Sequence, residues 1–172
     1  MQIRKYLSES AAKTLTHAFV SSRLDNMNSL LYNVPDYQIL KLQRIQNHAA
    51  RIIKKQKQSC HITPALIDLH WLPVQYRIQY KILLLVFKCV HGEGPVYLSS
   101  LLQRYQPSRA LRSANQLLLR EKPSHKRYGD RAFSVAGPKL WNRLPSELQN
   151  SDTVKSFKKS LKTHLFKQAY NL

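Results

Sequence analysis

Acidic side chains are the first residues to test for chemistry, because a two-metal polymerase or nuclease holds two cations about 4 Å apart between converging carboxylates. No two aspartates of this sequence are adjacent, and no acidic residue is followed two positions later by lysine, as many nucleases require. The sequence therefore predicts no polymerase or nuclease site, and we expect no catalytic residue. The isolated aspartates are Asp25, Asp36, Asp68, Asp130 and Asp152.

Two cysteine–histidine pairs are candidates for a zinc site, but their spacing is unfavourable. Cys60 directly precedes His61, and one residue separates Cys89 from His91, whereas structural zinc sites place roughly two to four residues between paired ligands. Cys89 falls in the most apolar segment, where a small buried side chain is the simpler interpretation. The sequence also has no phosphate-binding glycine motif. We therefore expect no metal and no other cofactor.

Cations interleaved with tyrosines fill residues 104 to 131, where two acidic residues oppose eight lysines and arginines. Arginine binds phosphate through paired N–H groups, and tyrosines such as Tyr105 and Tyr128 can stack on unpaired bases. We predict contact with nucleic acid here; the alternative is a solvated loop with buried tyrosines. The cations are Arg104, Arg109, Arg112, Arg120, Lys122, Lys126, Arg127 and Arg131.

Two smaller basic clusters are further candidates. Cations suit the negative end of a helix, which explains part of the first cluster, and lysines on a terminal helix can serve solubility alone, which is the alternative for the second. We include both clusters in the predicted nucleic-acid surface. They are Arg51, Lys54, Lys55 and Lys57, and Lys155, Lys158, Lys159 and Lys162.

The overall charge supports a polyanionic partner. Lysine and arginine total 28 against 9 acidic residues, a formal net charge of +19. Nucleic acid is the commonest such partner, and an anionic membrane surface is the alternative. The longest apolar run, residues 82 to 87, is far shorter than the roughly 20 residues of a membrane-spanning helix, so we expect it to be a core segment and expect no membrane partner. Two cysteines form no disulfide framework, so we expect a reducing, intracellular location.

Helices must position these cations, because apolar periodicity and capping signals predict helix along most of the chain. The predicted fold is all-α, with a possible small β-hairpin around residues 116–128, in which Gln116 to Arg120 pair with the segment after Pro123. The apolar content of 43% is sufficient for a core. Helices are predicted at about residues 10–24, 36–57, 63–70, 73–91, 95–102 and 152–169, with short ones around Pro138 and Pro145.

Local details of these helices are also predicted. Asp36, Thr63 and Asp152 are the expected N-caps, and the helix after Pro73 is expected at the centre of the core because it is apolar on nearly every face. Trp71 is an expected core anchor, as is Trp141. Buried stripes are predicted through Ala11, Leu15, Ala18, Phe19 and Leu24, through Ile39, Leu42, Ile45, Ala49, Ile52 and Ile53, and through Val154, Phe157, Leu161, Leu165 and Ala169.

Several longer motifs follow one another in a recognisable order: HITP at 61–64, LHWLPV at 69–74, YGDRAFSVAGP at 128–138, LWNRLP at 140–145 and LKTHLF at 161–166. Together they resemble the region that follows the reverse transcriptase domain in jockey-like LINE retrotransposon polyproteins. SRLD at 22–25 and KLQRIQN at 41–47 are similar to the stretch just after the polymerase palm in that family.

This resemblance implies a helical thumb and a C-terminal extension, which in such polyproteins are taken to hold template and primer. We expect residues 1–58 to be thumb-like and residues 59–172 to form the extension. The resemblance also implies RNA and/or DNA as partners, a polymerase palm as a further partner in a full-length parent, and a nuclear location if the protein is functional. None of the family's catalytic aspartates has a counterpart here. The expected function is thus a non-catalytic reverse transcriptase fragment, with a helical protein-interaction module or a non-functional retroelement remnant as alternatives.

Overall fold

Nine α-helices form most of the chain in the computed structural model, which describes residues 3–106, 117–124 and 128–172. No strand occurs within those residues, so the predicted all-α class is confirmed. Short 3₁₀ helices lie at Ile3–Tyr6, Asn28–Leu31 and Gly129–Arg131, and a π-helical turn at His17–Ser21. The α-helices are α1 (Glu9–Thr16), α2 (Ser22–Asp25), α3 (Asp36–Lys54), α4 (Thr63–Asp68), α5 (Val74–Val90), α6 (Val96–Ser99), α7 (Phe133–Trp141), α8 (Ser146–Gln149) and α9 (Val154–Tyr170).

Helix α5 lies at the centre of the larger hydrophobic core, as predicted. Its apolar residues pack against α7 and α9. The ring of Phe87 stacks on Phe157 with 4.1 Å between ring centroids, and Trp141 lies 6.1 Å from Phe157. The stripe predicted along α9 is confirmed at Phe157, Leu161 and Leu165, which are buried. This packing holds the lysine-bearing face of α9 toward solvent.

A smaller core joins α1, α3 and α4. It contains alanines, together with Ile53, Leu66 and Trp71, so side chains from both sides of the expected boundary at residue 58 pack in one cluster. Trp71 is buried, which confirms it as a core anchor, and its main-chain oxygen accepts a hydrogen bond of 2.6 Å from the hydroxyl of Tyr170. The C-terminal helix thereby contacts this core as well as the larger one.

An ion pair and a main-chain contact fasten the N-terminal helices to α5. The guanidinium of Arg77 donates to both carboxylate oxygens of Asp25, at 2.8 and 2.6 Å, the paired geometry that gives charge-assisted hydrogen bonds their strength. The amide N of Val74 donates to Oε1 of Gln43 at 2.9 Å, which satisfies one of the free N–H groups at the start of α5.

The apolar stripe predicted for the first helix is wrong at Leu15, Ala18 and Phe19. Within α1 the buried face runs through Ala12 and Thr16, one residue later than predicted, and a π-helical turn then shifts it again. Ser22 N–H bonds to the carbonyl of His17, five residues back, in the π-helical turn. The buried face consequently steps from Thr16 to Ser21 and not to residue 19 or 20. Leu15 and Ala18 are exposed, and Phe19 is 73% exposed.

The stripe predicted along α3 is wrong at one position. Ile45 is exposed, and its neighbour Gln46 is buried in its place. The Gln46 side chain can lie in the interior because its Nε2 donates to the carbonyl of Leu72 at 2.8 Å. Ala49 and Ile53 are buried as predicted.

The predicted N-caps are each displaced by one residue. Pro35, in an extended conformation, precedes α3, so Asp36 is the first helical residue and no side chain caps the helix. Thr63 is likewise the first residue of α4, after Ile62. Helix α9 begins one residue later than predicted, because the Thr153 hydroxyl accepts a hydrogen bond from Ser156 N at 3.1 Å.

A single antiparallel bridge between Arg104 and Leu119 stands where the hairpin is predicted. Two main-chain hydrogen bonds of 2.8 and 2.9 Å flank it. The side chain of Asn142 bonds to both the N–H and the carbonyl of Leu119. Because Asn142 satisfies these groups, Leu119 has none left for a second strand. Gln116 and residues 125–127 lie outside the described residues.

No helix within the described residues is long and apolar enough to cross a membrane.

Candidate nucleic-acid interface

Part of the predicted basic surface lies outside the described residues, namely Arg109, Arg112, Lys126 and Arg127. The neighbours of this segment are described, and they are solvent-facing. Arg104, Arg120 and Lys122 are exposed. Tyr105 is also exposed and Tyr128 is 79% exposed, so the alternative with buried tyrosines is wrong. Both tyrosine rings are accessible for stacking on a base.

Arg131 is partly occupied by contacts within the chain. Its Nε donates to the carbonyl of Asn33 at 3.3 Å, and its guanidinium lies 5.1 Å from the centroid of the Tyr128 ring. A guanidinium over an aromatic face is attracted by the ring quadrupole. Arg131 therefore links the tyrosine to the loop before α3, and part of its capacity for phosphate contacts is used.

The four predicted lysines of α9 share one solvent-facing side of the helix. Lys155, Lys158, Lys159 and Lys162 are all exposed, beside the buried stripe. Lys162 also lines a cavity of about 360 Å³ together with Lys81, which the sequence analysis did not select. Arg77 lines the same cavity, but its charge is balanced by Asp25. This face is basic and accessible, without a feature that fixes a ligand.

Lys54, a member of the predicted basic cluster, forms ion pairs with two carboxylates. Its Nζ lies 2.8 Å from a carboxylate oxygen of Glu9 and also pairs with Asp68. These hydrogen bonds raise the pKa of Lys54, and the one to Asp68 has the larger effect. The hydrogen bonds that Lys54 and Lys13 donate to Glu9 lower the pKa of Glu9 to about 2. The charge of Lys54 is thus balanced inside the fold. Lys57 is exposed.

A basic cavity of about 350 Å³ opens at the C-terminal end of α3. Arg51 and Lys55 from the predicted cluster line it, and the structure adds Arg4, Lys5 and His48. Among the described residues its wall has no carboxylate: the remaining lining residues are Ile52, Gln56 and Gln58. The sequence analysis missed Arg4 because its partners, the carbonyls of α3, are 48 and 49 residues away.

The exposed side of α3 continues this basic surface toward the start of the helix. Lys41, Arg44 and His48 are exposed at intervals of three and four residues, which place them on one face. The Lys41 ammonium lies 5.7 Å from the centroid of the exposed Tyr37 ring. The sequence analysis missed Lys41 and Arg44, although their helical spacing was a usable signal. We call the surface formed by Tyr37, Lys41, Arg44 and His48, together with the cavity, the α3 basic face.

No group of three or more histidine, cysteine or acidic side chains is placed to bind a metal within the described ranges. Cys89 is buried, as predicted, and Cys60 is exposed. No protein-family model, curated protein sequence or solved structure matches this chain.

Proposed function

We propose that this protein binds RNA or DNA through phosphate contacts along the α3 basic face and carries out no catalysis itself. The observation that supports the proposal most is the cavity at the end of α3, where four lysine and arginine side chains meet without a carboxylate on the wall. Like charges held together repel one another, and a polyanion relieves that repulsion. The accessible rings of Tyr37 and Tyr105 add stacking positions for unpaired bases.

The sequence resemblance is the second support. In a LINE-type polyprotein, the helices after the polymerase palm would hold the template and primer, and α3 occupies the thumb-like part of this chain. The proposal therefore describes a reverse transcriptase fragment that contains a nucleic-acid-binding region and lacks the polymerase. Purified protein should incorporate no nucleotides in a primer-extension assay with Mg²⁺. Metal-dependent incorporation would contradict the non-catalytic proposal.

Salt dependence tests the binding proposal directly. Six to ten phosphate contacts predict a loss in affinity of roughly 10³ to 10⁵ between about 50 and 200 mM salt. We would measure binding to labelled single-stranded RNA and duplex DNA by fluorescence anisotropy. The Lys41→Gln/Arg44→Gln variant should lower the slope of log affinity against log salt on duplex DNA by about 2, because each phosphate contact contributes about 0.9.

A matched variant makes this test specific. Lys139→Gln/Lys167→Gln removes the same two charges from exposed positions on α7 and α9, so it should leave the slope unchanged. Equal losses in both variants would indicate that net charge alone binds the polyanion. If no nucleic acid binds at the lower salt, the proposal fails.

A helical protein-interaction module is the second candidate, and exposed apolar side chains favour it. Phe19, Met27 and Leu30 are each about two-thirds exposed or more, and exposed apolar groups that cluster mark protein interfaces. In the reverse transcriptase proposal, this surface would contact the polymerase palm. Absence of nucleic-acid binding at low salt would leave protein interaction as the better proposal.

A further inference from the structure

The cavity at the end of α3 lies where a helix presents its negative end, so an anion site there must overcome that charge. Free carbonyls at a helix C-terminus ordinarily repel an anion. Here the guanidinium of Arg4 donates to the carbonyls of Ile52 and Ile53, at 2.6 and 2.7 Å, and to that of Leu7 at 2.6 Å. Arg4 thereby occupies the carbonyls that an anion would meet and adds a full positive charge, which exceeds the partial negative charge of the helix end.

Arg51 brings a second guanidinium to the cavity, with few bonds of its own. Its Nη2 makes one long hydrogen bond, 3.3 Å, to the carbonyl of Cys60. Its Nε is buried and has no hydrogen-bond partner among the described residues, and the same holds for Oε1 of the neighbouring Gln56. No carboxylate among the described residues forms an ion pair with Arg51, so an anion in the cavity would balance the charge of this guanidinium.

The acidic residues nearest in the fold are held elsewhere. Glu9 pairs with Lys13 and Lys54, and Asp68 pairs with Lys54. Neither lines the cavity, whose other cations, Lys5 and Lys55, are exposed. The positive charge of the wall is therefore not balanced by either of these carboxylates.

We propose that this cavity binds the terminal phosphate of a nucleic-acid strand, an inference that rests on the proposed function. A terminal phosphate carries about −1.5 to −2 charge and three acceptor oxygens, as phosphate monoesters do, whereas a phosphate within the strand carries a single charge. Two guanidinium groups and two ammonium groups match the dianion better. The volume of about 350 Å³ has room for a phosphate and the sugar that carries it.

Strands of one sequence with different ends test this proposal. Fluorescence anisotropy at about 50 mM salt would compare single strands that carry a 5′-phosphate, a 3′-phosphate or hydroxyl groups at both ends. The wild-type protein should bind one of the phosphorylated strands about tenfold more tightly than the hydroxyl strand, as expected for one additional charge-assisted contact.

The variant Lys5→Gln/Lys55→Gln removes two exposed cavity lysines and should bind all three strands equally. Its control, Lys155→Gln/Lys159→Gln, removes the same charge from exposed positions on α9 and should keep the tenfold preference. If the wild-type protein binds every strand equally and with steep salt dependence, the cavity proposal is overturned and the proposed function stands. If no strand binds, both are overturned. Loss of the preference in the control as well would assign it to net charge and overturn the cavity proposal.

Discussion

The two hydrophobic cores of this protein differ in the size of their side chains. Around α5, the largest buried residues are aromatic, with Phe87, Trp141 and Phe157 almost inaccessible to solvent. Between α1, α3 and α4, half of the six buried residues are alanines, namely Ala12, Ala49 and Ala50. Small residues allow the N-terminal helices to approach closely, but they bury less apolar surface per residue, and hydrophobic stabilisation follows that area.

On the surface, by contrast, large apolar side chains are more frequent in the N-terminal region than in the region around α5. Eight of the fourteen exposed large hydrophobic side chains in the described chain lie before residue 46. Leu15 and Phe19 are four residues apart, and Met27 and Leu30 three apart. The N-terminal region therefore buries small side chains such as Ala12 and leaves many of its larger apolar side chains exposed. The difference indicates that this region depends on close helix contacts for its own fold.

The comparison is tested most strongly by replacing a phenylalanine with alanine in each of the two regions. Phe157→Ala should lower the free energy of unfolding by about 3–5 kcal/mol, because it leaves a cavity in the larger core. Phe19→Ala should change it by less than about 0.5 kcal/mol, because that ring is exposed. Urea denaturation followed by circular dichroism measures both values. Equal losses would show that Phe19 packs in the folded protein.

Overpacking tests the alanine core. Ala50 is completely buried between helices, so Ala50→Leu should lower the free energy of unfolding by about 1–3 kcal/mol. Arg44→Leu places the same side chain on the exposed face of α3 and serves as the control. An unchanged midpoint for Ala50→Leu would mean that the helices of the smaller core separate easily.

The pairing of Glu9 supplies the smallest expected effect, at the edge of the smaller core. Because the folded pKa of Glu9 is about 2 against an ordinary 4.5, its contribution to stability is present above pH 4.5 and is lost as the pH falls toward 2. The melting temperature of Glu9→Gln should lie slightly below that of the wild type at pH 7. The difference should disappear near pH 2. A difference that persists there would exclude the ion pair as its cause.

Regular helices were predictable from the sequence, and irregular or long-range features were not. The stripe of Phe157, Leu161 and Leu165 follows the α-helical period without interruption, so periodicity alone located it. Gln46 is buried only because the carbonyl of Leu72, 26 residues away, accepts its hydrogen bond. No local pattern contains that information.

The candidate site shows the same division. The cations at the end of α3 were visible in the sequence, but their partners in the fold were not. Lys54 is balanced by Glu9, 45 residues away, and Arg4 joins the cavity through carbonyls 48 and 49 residues away. The clustering of cations in the sequence predicted a basic region, and the fold determined which of these cations line the cavity.

The π-helical turn at His17–Ser21 gives the N-terminal segment a fixed residue count. It inserts one residue into the helical path, so each side of the turn has its own angular phase. A regular α-helix made of the same residues would rotate Asp25 by about 100°, one residue's turn of an α-helix, away from Arg77, and it would carry Phe19 toward the interior. Removing one residue from the turn would avoid this rotation, because Ser21 would then follow Thr16 by four residues, the spacing of one helical face. The number of residues in the turn, together with its π-helical conformation, therefore decides which side of the segment the protein presents to its surroundings.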